Sequence, residues 1–310
     1  MLSRVAESIF WMARYMERTN RMLRMLHTKY ISSQDEVRDF SWHSVLETYS
    51  DKPVSEFPAI EKNSSKVLDH LVIDRDNTFS VINNITRARE NARSVQDHIT
   101  KEVWQCLNEY YHLIRDPGIQ FNIQKGDPVT SLDSLIREGM LYSGTVDITM
   151  AREEGFNFLN IGRFLSRAII TIDFLSIKLK EYHYDLEGHA EDPTWRFLLY
   201  SLSGYELYLK TNRGNLDAKL IIEHTLYNTD FPHSLIYSMN RLNRYFERLK
   251  NESPPESYSQ LEFSIGRCYN NIKYSQVSHS SDLLRKFLQQ VRGELFEIAS
   301  LFNKYYFGNT

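Results

Sequence analysis

The chain has 310 residues, 42% of them hydrophobic and 25% charged, with only 12 Gly and 8 Pro. Against usual levels of about 7% Gly and about 5% Pro, both breakers are scarce, which excludes a many-turned all-β architecture and favours long helices. Lys and Arg number 37 against 40 Asp and Glu, a net charge of -3 with no run of one sign, so a nucleic-acid-coating or polybasic membrane role is excluded. Two cysteines, Cys106 and Cys268, cannot build a disulfide framework and read as core thiols of a reducing, cytoplasmic compartment. Arg4, Glu7 and Arg14 interrupt the apolar start, so no secretory leader is expected, and no apolar run reaches the ~18 residues of a membrane span.

In chain order, Leu2, Val5, Ile9, Met12, Met16, Leu23, Leu26 and Tyr30 recur at spacings of three and four, which predicts a helix over Leu2 to Tyr30. Ser32 to Lys66 is mixed and holds a short helix near Phe40 to Tyr49. From Asn77, read as an N-cap, to Arg115 the apolar positions keep helical period, giving one very long helix or two in tandem, stopped by Asp116-Pro117-Gly118. Lys125-Gly126-Asp127-Pro128 is a turn. Helices then follow over Ser131 to Met150 and Phe156 to Tyr182, from Pro193 through Lys210, over Asp217 to Tyr227, from Phe231-Pro232 through Lys250, and, beyond a joint at Ser253-Pro254-Pro255, over Glu256 to Tyr274 and Ser281 to Tyr306. No strand alternation is sustained. The expected fold is all-α, a bundle of about ten helices forming one domain over 1–310, with candidate sub-bundles 1–125 and 126–310.

Some charges are expensive. Between Ile9 and Met16 only Arg14 is polar, and a helix apolar around its circumference is a buried one. Glu17, Arg18 and Arg21 follow within two turns, and Glu7 lies seven residues before Arg14. Between Phe156 and Leu175 only Asn160, Arg163, Ser166 and Arg167 form a narrow polar stripe, so Arg163 and Arg167 are expected in or near the interior. Arg244 and Arg248 sit on a helix with a wide polar face and are expected in solvent. Arg89 and Arg93 are like charges four apart, a repulsion relieved only if a carboxylate or ligand anion sits between them. Two readings stand for the group Glu7, Arg14, Glu17, Arg18, Arg89, Glu90, Arg93, Arg163 and Arg167: buried ion pairs that hold helices in register, or guanidinium forks that receive a carboxylate or phosphate. Glu109-Tyr110-Tyr111-His112 is a single Glu-x-x-His, one copy of a unit that di-metal bundles use twice, and no metal is assigned to it. No Gly-rich phosphate loop, nucleophile elbow or Cys/His catalytic pattern is present, so no cofactor is implied.

The opening Met1-Leu2-Ser3-Arg4-Val5-Ala6-Glu7-Ser8-Ile9-Phe10-Trp11-Met12-Ala13-Arg14-Tyr15-Met16-Glu17-Arg18 resembles that of the alpha-E family, bacterial helical proteins named for a Glu-Arg motif. Ala88-Arg89-Glu90-Asn91-Ala92-Arg93-Ser94, Thr149-Met150 with Arg152, Phe158-Leu159 through Gly162-Arg163 and Phe231-Pro232-His233-Ser234 extend the likeness to about residue 305. The resemblance implies an all-α fold. It further implies a setting beside a circularly permuted ATP-grasp protein and a transglutaminase-like protein, in ATP-dependent peptide-bond formation or peptide tagging. Glu17 and Arg18 match the naming motif, while Ser166 stands where many relatives have Glu and His233 where Arg is expected.

Three functional readings follow. The preferred one is a non-catalytic helical partner of an ATP-grasp ligase, binding the enzyme or its peptide substrate through the Arg/Glu group. The second is an enzyme, with Glu17 as general acid or base and arginines holding a carboxylate- or phosphate-bearing substrate. The third is a structural scaffold whose partner meets an exposed apolar patch.

Overall fold

A computed structural model describes residues 1–34, 40–250, 255–276 and 280–308. Helix is the only regular secondary structure among the described residues, with no strand. The helices are α1 (Ser3–Gln34), α2 (His43–Tyr49), α3 (Ser64–Leu68), α4 (Val81–Ser94), α5 (Lys101–Ile114), α6 (Pro117–Lys125), α7 (Pro128–Thr149), α8 (Glu154–Glu181), α9 (Trp195–Ser201), α10 (Tyr205–Asn212), α11 (Ala218–Tyr227), α12 (Leu235–Glu247), α13 (Pro255–Lys273) and α14 (Ser281–Phe302). They outnumber the ten expected, because apolar periodicity runs through chain breaks that local chemistry imposes. The Ser253-Pro254 part of the expected joint lies outside the described residues.

The stretch read as one or two helices from Asn77 is two. Thr100 caps α5 by accepting from the Val103 N–H, and a turn over Gln96–His98 precedes it. Asn77 is not a cap: α4 opens at Val81, and the buried Asn77 amide instead donates to the Tyr49 and His70 carbonyls. Between the stop at Asp116-Pro117-Gly118 and the turn at Lys125-Gly126-Asp127-Pro128, where the sequence reading assigns no element, Pro117–Lys125 form α6, with Asp116 accepting from the Gly118 and Ile119 N–H groups and Pro117 in the first turn. The helix expected from Pro193 through Lys210 is broken between α9 and α10, where Ser203 has φ 56°. Gly204 follows, and a Cβ there would fall 2.4 Å from Cζ of Phe231, so close packing requires the missing side chain.

The chain forms two compact units. One comprises Met1–Arg14 and Arg152–Thr310, the other Tyr15–Ala151, so the Gly126 turn at the expected 125/126 divide falls inside the second. In the first unit α8 is buried around most of its circumference and packs chiefly on α12, with α14 also against it. Phe10, Phe246, Phe302 and Phe307 join in one aromatic cluster there. In the second unit α5 packs on α4 and α7. The Asn20 amide of α1 donates to the Gly139 carbonyl of α7 at 3.1 Å. Both cysteines are buried free thiols, and burial first, then Glu138 and Glu109, pushes Cys106 up to about 12. No described helix is long and apolar enough to cross a membrane.

Candidate functional site

In the first unit, Ile9, Phe10, Met12 and Ala13 bury the start of α1 and carry Arg14 inward with them, leaving it 3% exposed. Its Nε donates to Ser166 Oγ at 3.2 Å, and its guanidinium lies 4.5 Å from the Trp11 ring centroid and 5.4 Å from that of Phe10. A cation so placed recovers part of its lost hydration from ring quadrupoles. Arg163 is buried on α8, as expected, and donates from Nη1 to Asn160 Oδ1 at 3.4 Å. Arg167 is partly exposed, donates to the Pro232 carbonyl at 3.2 Å and lies over Phe164. Glu7 is partly exposed, two turns before Arg14.

Arg241 of α12 escaped the sequence reading. Its guanidinium lies 5.8 Å from each of the Phe164, Tyr237 and Tyr245 ring centroids. The signal was available, since Tyr237 and Tyr245 stand one turn to either side of it on the same helical face. Arg244 and Arg248 are exposed, as expected.

In the second unit, Glu17 is 4% exposed, with Oε1 3.3 Å from Arg21 Nε one turn on. Arg18 is partly exposed and lies 5.9 Å from the Tyr15 ring, which Arg87 of α4 approaches at 5.8 Å. The like charges Arg89 and Arg93 are reconciled by Glu90: Arg89 Nη1 is 2.8 Å from Oε1 and Arg93 Nη2 is 2.9 Å from Oε2 of one carboxylate. Arg89 Nε also donates to Asn108 Oδ1 at 2.9 Å, and its guanidinium sits 4.6 Å from the Tyr111 ring centroid. Arg93 is 63% and Glu90 45% exposed, so this end of α4 presents a guanidinium and a carboxylate to water.

The expected residues thus sort by unit and by depth. Glu7, Arg14, Arg163 and Arg167 belong to the first unit, and Glu17, Arg18, Arg89, Glu90 and Arg93 to the second. Arg14, Glu17 and Arg163 are interior, whereas Glu90 and Arg93 are at the surface. Glu109 of the single Glu-x-x-His acts on Glu138 of α7, whose carboxyl is raised by burial and then by that like charge. No grouping of three or more potential metal ligands occurs among the described residues.

A family model described as a predicted alpha-helical domain with a conserved ER motif matches residues 1–307. The chain belongs to the Alpha-E family. No curated protein and no solved structure matches it. In this Alpha-E chain the Glu-Arg pair that the sequence likeness puts at the naming motif, Glu17-Arg18, divides its roles: Glu17 is buried against Arg21, while Arg18 reaches toward the surface beside Tyr15.

Proposed function

We propose that this Alpha-E protein is a helical accessory subunit of an ATP-grasp peptide ligase system, binding the ligase or its carboxylate-bearing peptide substrate through the Arg89, Glu90 and Arg93 end of α4. The observation that carries this reading is the contrast between Glu17 and Glu90. Glu17, the group that would transfer protons if the motif were catalytic, is 4% exposed and held by Arg21. A general acid or base must reach its substrate directly or through a water, and interior pairing argues for a structural role instead. Glu90, by contrast, is exposed and pairs with the exposed Arg93 and the partly buried Arg89, and an ion pair in solvent such as Glu90–Arg93 contributes only ~0–1 kcal/mol to stability. A partner carboxylate can therefore replace Glu90 at small cost and engage the same planar forks.

The test is affinity purification of the tagged protein from its source organism, wild type beside the Arg89→Ala/Arg93→Ala double variant, with mass spectrometry of the accompanying proteins. Recovery of an ATP-grasp protein with the wild type and its loss from the double variant, at unchanged helical circular dichroism, is the expected result. Absence of any such protein from the wild-type sample, or equal recovery from both, overturns the proposal.

A further inference from the structure

A second constellation lies in the Tyr15–Ala151 unit and owes nothing to the arginines. Helix α2 ends at Ser50, whose backbone is extended and whose N–H closes the helix on the Leu46 carbonyl. Helix α3 runs into a wide π-type turn over Asp69–Ile73, a local geometry that recurs at functional sites, and that turn presents His70. His70 is 4% exposed. Its Nε2 is 2.7 Å from Ser50 Oγ and its Nδ1 is 2.8 Å from Asp74 Oδ2. Buried Asn77 donates to the carbonyls of both Tyr49 and His70, at 3.1 and 3.2 Å, and so ties the serine segment to the histidine turn.

The carboxylate of this array sets which imidazole nitrogen donates to it. Burial opposes the charge on Asp74, but the Asp76 N–H, His70 and the nearby Lys52 ammonium outweigh it and hold the carboxyl below its ordinary range. An ionised Asp74 accepts only, so the His70 Nδ1–H donates to it, and in the neutral ring Nε2 is the acceptor facing the Ser50 hydroxyl. The Lys52 N–H donates to Ser50 Oγ at 3.0 Å, a contact that strengthens as negative charge develops on that oxygen. Ser50 itself is partly exposed. Nucleophile, base and orienting carboxylate are therefore connected in series, at hydrogen-bond distances, with Ser50 at the end of α2 and both His70 and Asp74 on the turn after α3.

We propose that Ser50, His70 and Asp74 form a nucleophilic centre that cleaves an acyl ester with water as the final acceptor. Ser50 Oγ bonds to the acyl carbon while its proton passes to His70 Nε2. The bond from that carbon to the leaving oxygen breaks, and His70 returns the proton to the departing alcohol. Water then attacks the acyl carbon, giving a proton to His70; the bond from carbon to Ser50 Oγ breaks, and the serine regains its proton as the carboxylic acid leaves. Ser50 and His70 are the reacting groups, and Asp74 positions the ring.

The test treats the full chain with a fluorophosphonate probe, maps the adduct by peptide mass spectrometry, and follows p-nitrophenyl acetate turnover. The expected adduct is on Ser50, with labelling and turnover lost in Ser50→Ala at an unchanged melting temperature. Asp74→Asn lowers kcat about 100-fold or more with KM unchanged, the signature of a misoriented base rather than a loosened fold. Labelling of the folded protein that spares Ser50, or turnover equal in Ser50→Ala and wild type, overturns the proposal. Because the readouts are covalent adduct and ester turnover, they are independent of whether the α4 arginines recruit a partner.

Discussion

Glu17 and Arg93 carry opposite lessons about what a charge does at a given depth. The Glu17 carboxylate is interior and set against Arg21, so removing its charge leaves a guanidinium without that compensation in a poorly solvated place. Glu17→Gln is expected to lower unfolding free energy by about 3 kcal/mol, read from urea denaturation. The Arg93 pair with Glu90 is in solvent, and Arg93→Ala is expected to move the same curve by less than ~1 kcal/mol. If Glu17→Gln proves neutral, the interior pair is not what holds this part of α1. Arg14 shows a third case, a buried cation whose Nε meets the neutral Ser166 hydroxyl and whose fork lies on aromatic faces.

Among the elements, α8 is the one whose packing is most constrained, because it is buried around most of its circumference. Gly162 lies where α8 meets α1, and an added Cβ would fall 2.4 Å from the Phe10 carbonyl oxygen. Backbone cannot swing aside as a flexible side chain can, so Gly162→Ala must displace one helix. The overpacking cost of about 1–3 kcal/mol exceeds the gain of up to ~1 kcal/mol in helix propensity, and a net loss is expected. At Gly144 of α7 nothing lies within 4 Å of the same atom, so Gly144→Ala is expected to keep the propensity gain and raise the melting temperature. Thermal denaturation of the two variants side by side checks both signs.

For the whole molecule, the acid branch of the stability curve follows from groups that prefer different protonation states folded and unfolded. Burial lowers the pKa of His224, whose Nδ1 faces the Asn228 amide at 3.1 Å and whose ring packs on Tyr208 and Phe231. The unfolded chain therefore binds the imidazole proton more readily, and folding stability falls as pH drops below about 6.5. Asp74 and Asp192 are held low, so their contributions are present at neutral pH and lost only further into acid. Glu138 is raised and acts in the opposite sense, favouring the folded chain as it protonates. The melting temperature is expected to begin its decline below about 6.5, and His224→Phe to remove that first step while leaving the deeper acid transition. An unaltered first step in His224→Phe would assign it to other groups.

The sequence by itself determined the helical class and the depth of several charges. Apolar residues at spacings of three and four are a local signal that survives without tertiary context, and a helix apolar on every side must be interior, so the burial of Arg14 and Arg163 was legible before any coordinates. The bridging of Arg89 and Arg93 by Glu90 was legible as an electrostatic need, since all three share two turns of one helix. What the periodicity concealed was where helices stop. The break before α5 depends on the Thr100 cap, and that between α9 and α10 on room for Phe231 against Gly204, 27 positions away by sequence number. The Ser50, His70 and Asp74 array was equally hidden, because it sits where no period is sustained and Ser50 meets the His70–Asp74 turn only across 20 residues of chain, a junction to which Asn77 adds two hydrogen bonds. Only the tertiary structure decided those contacts, since hydrogen bonds and steric approach between distant segments have no repeat in the chain that encodes them.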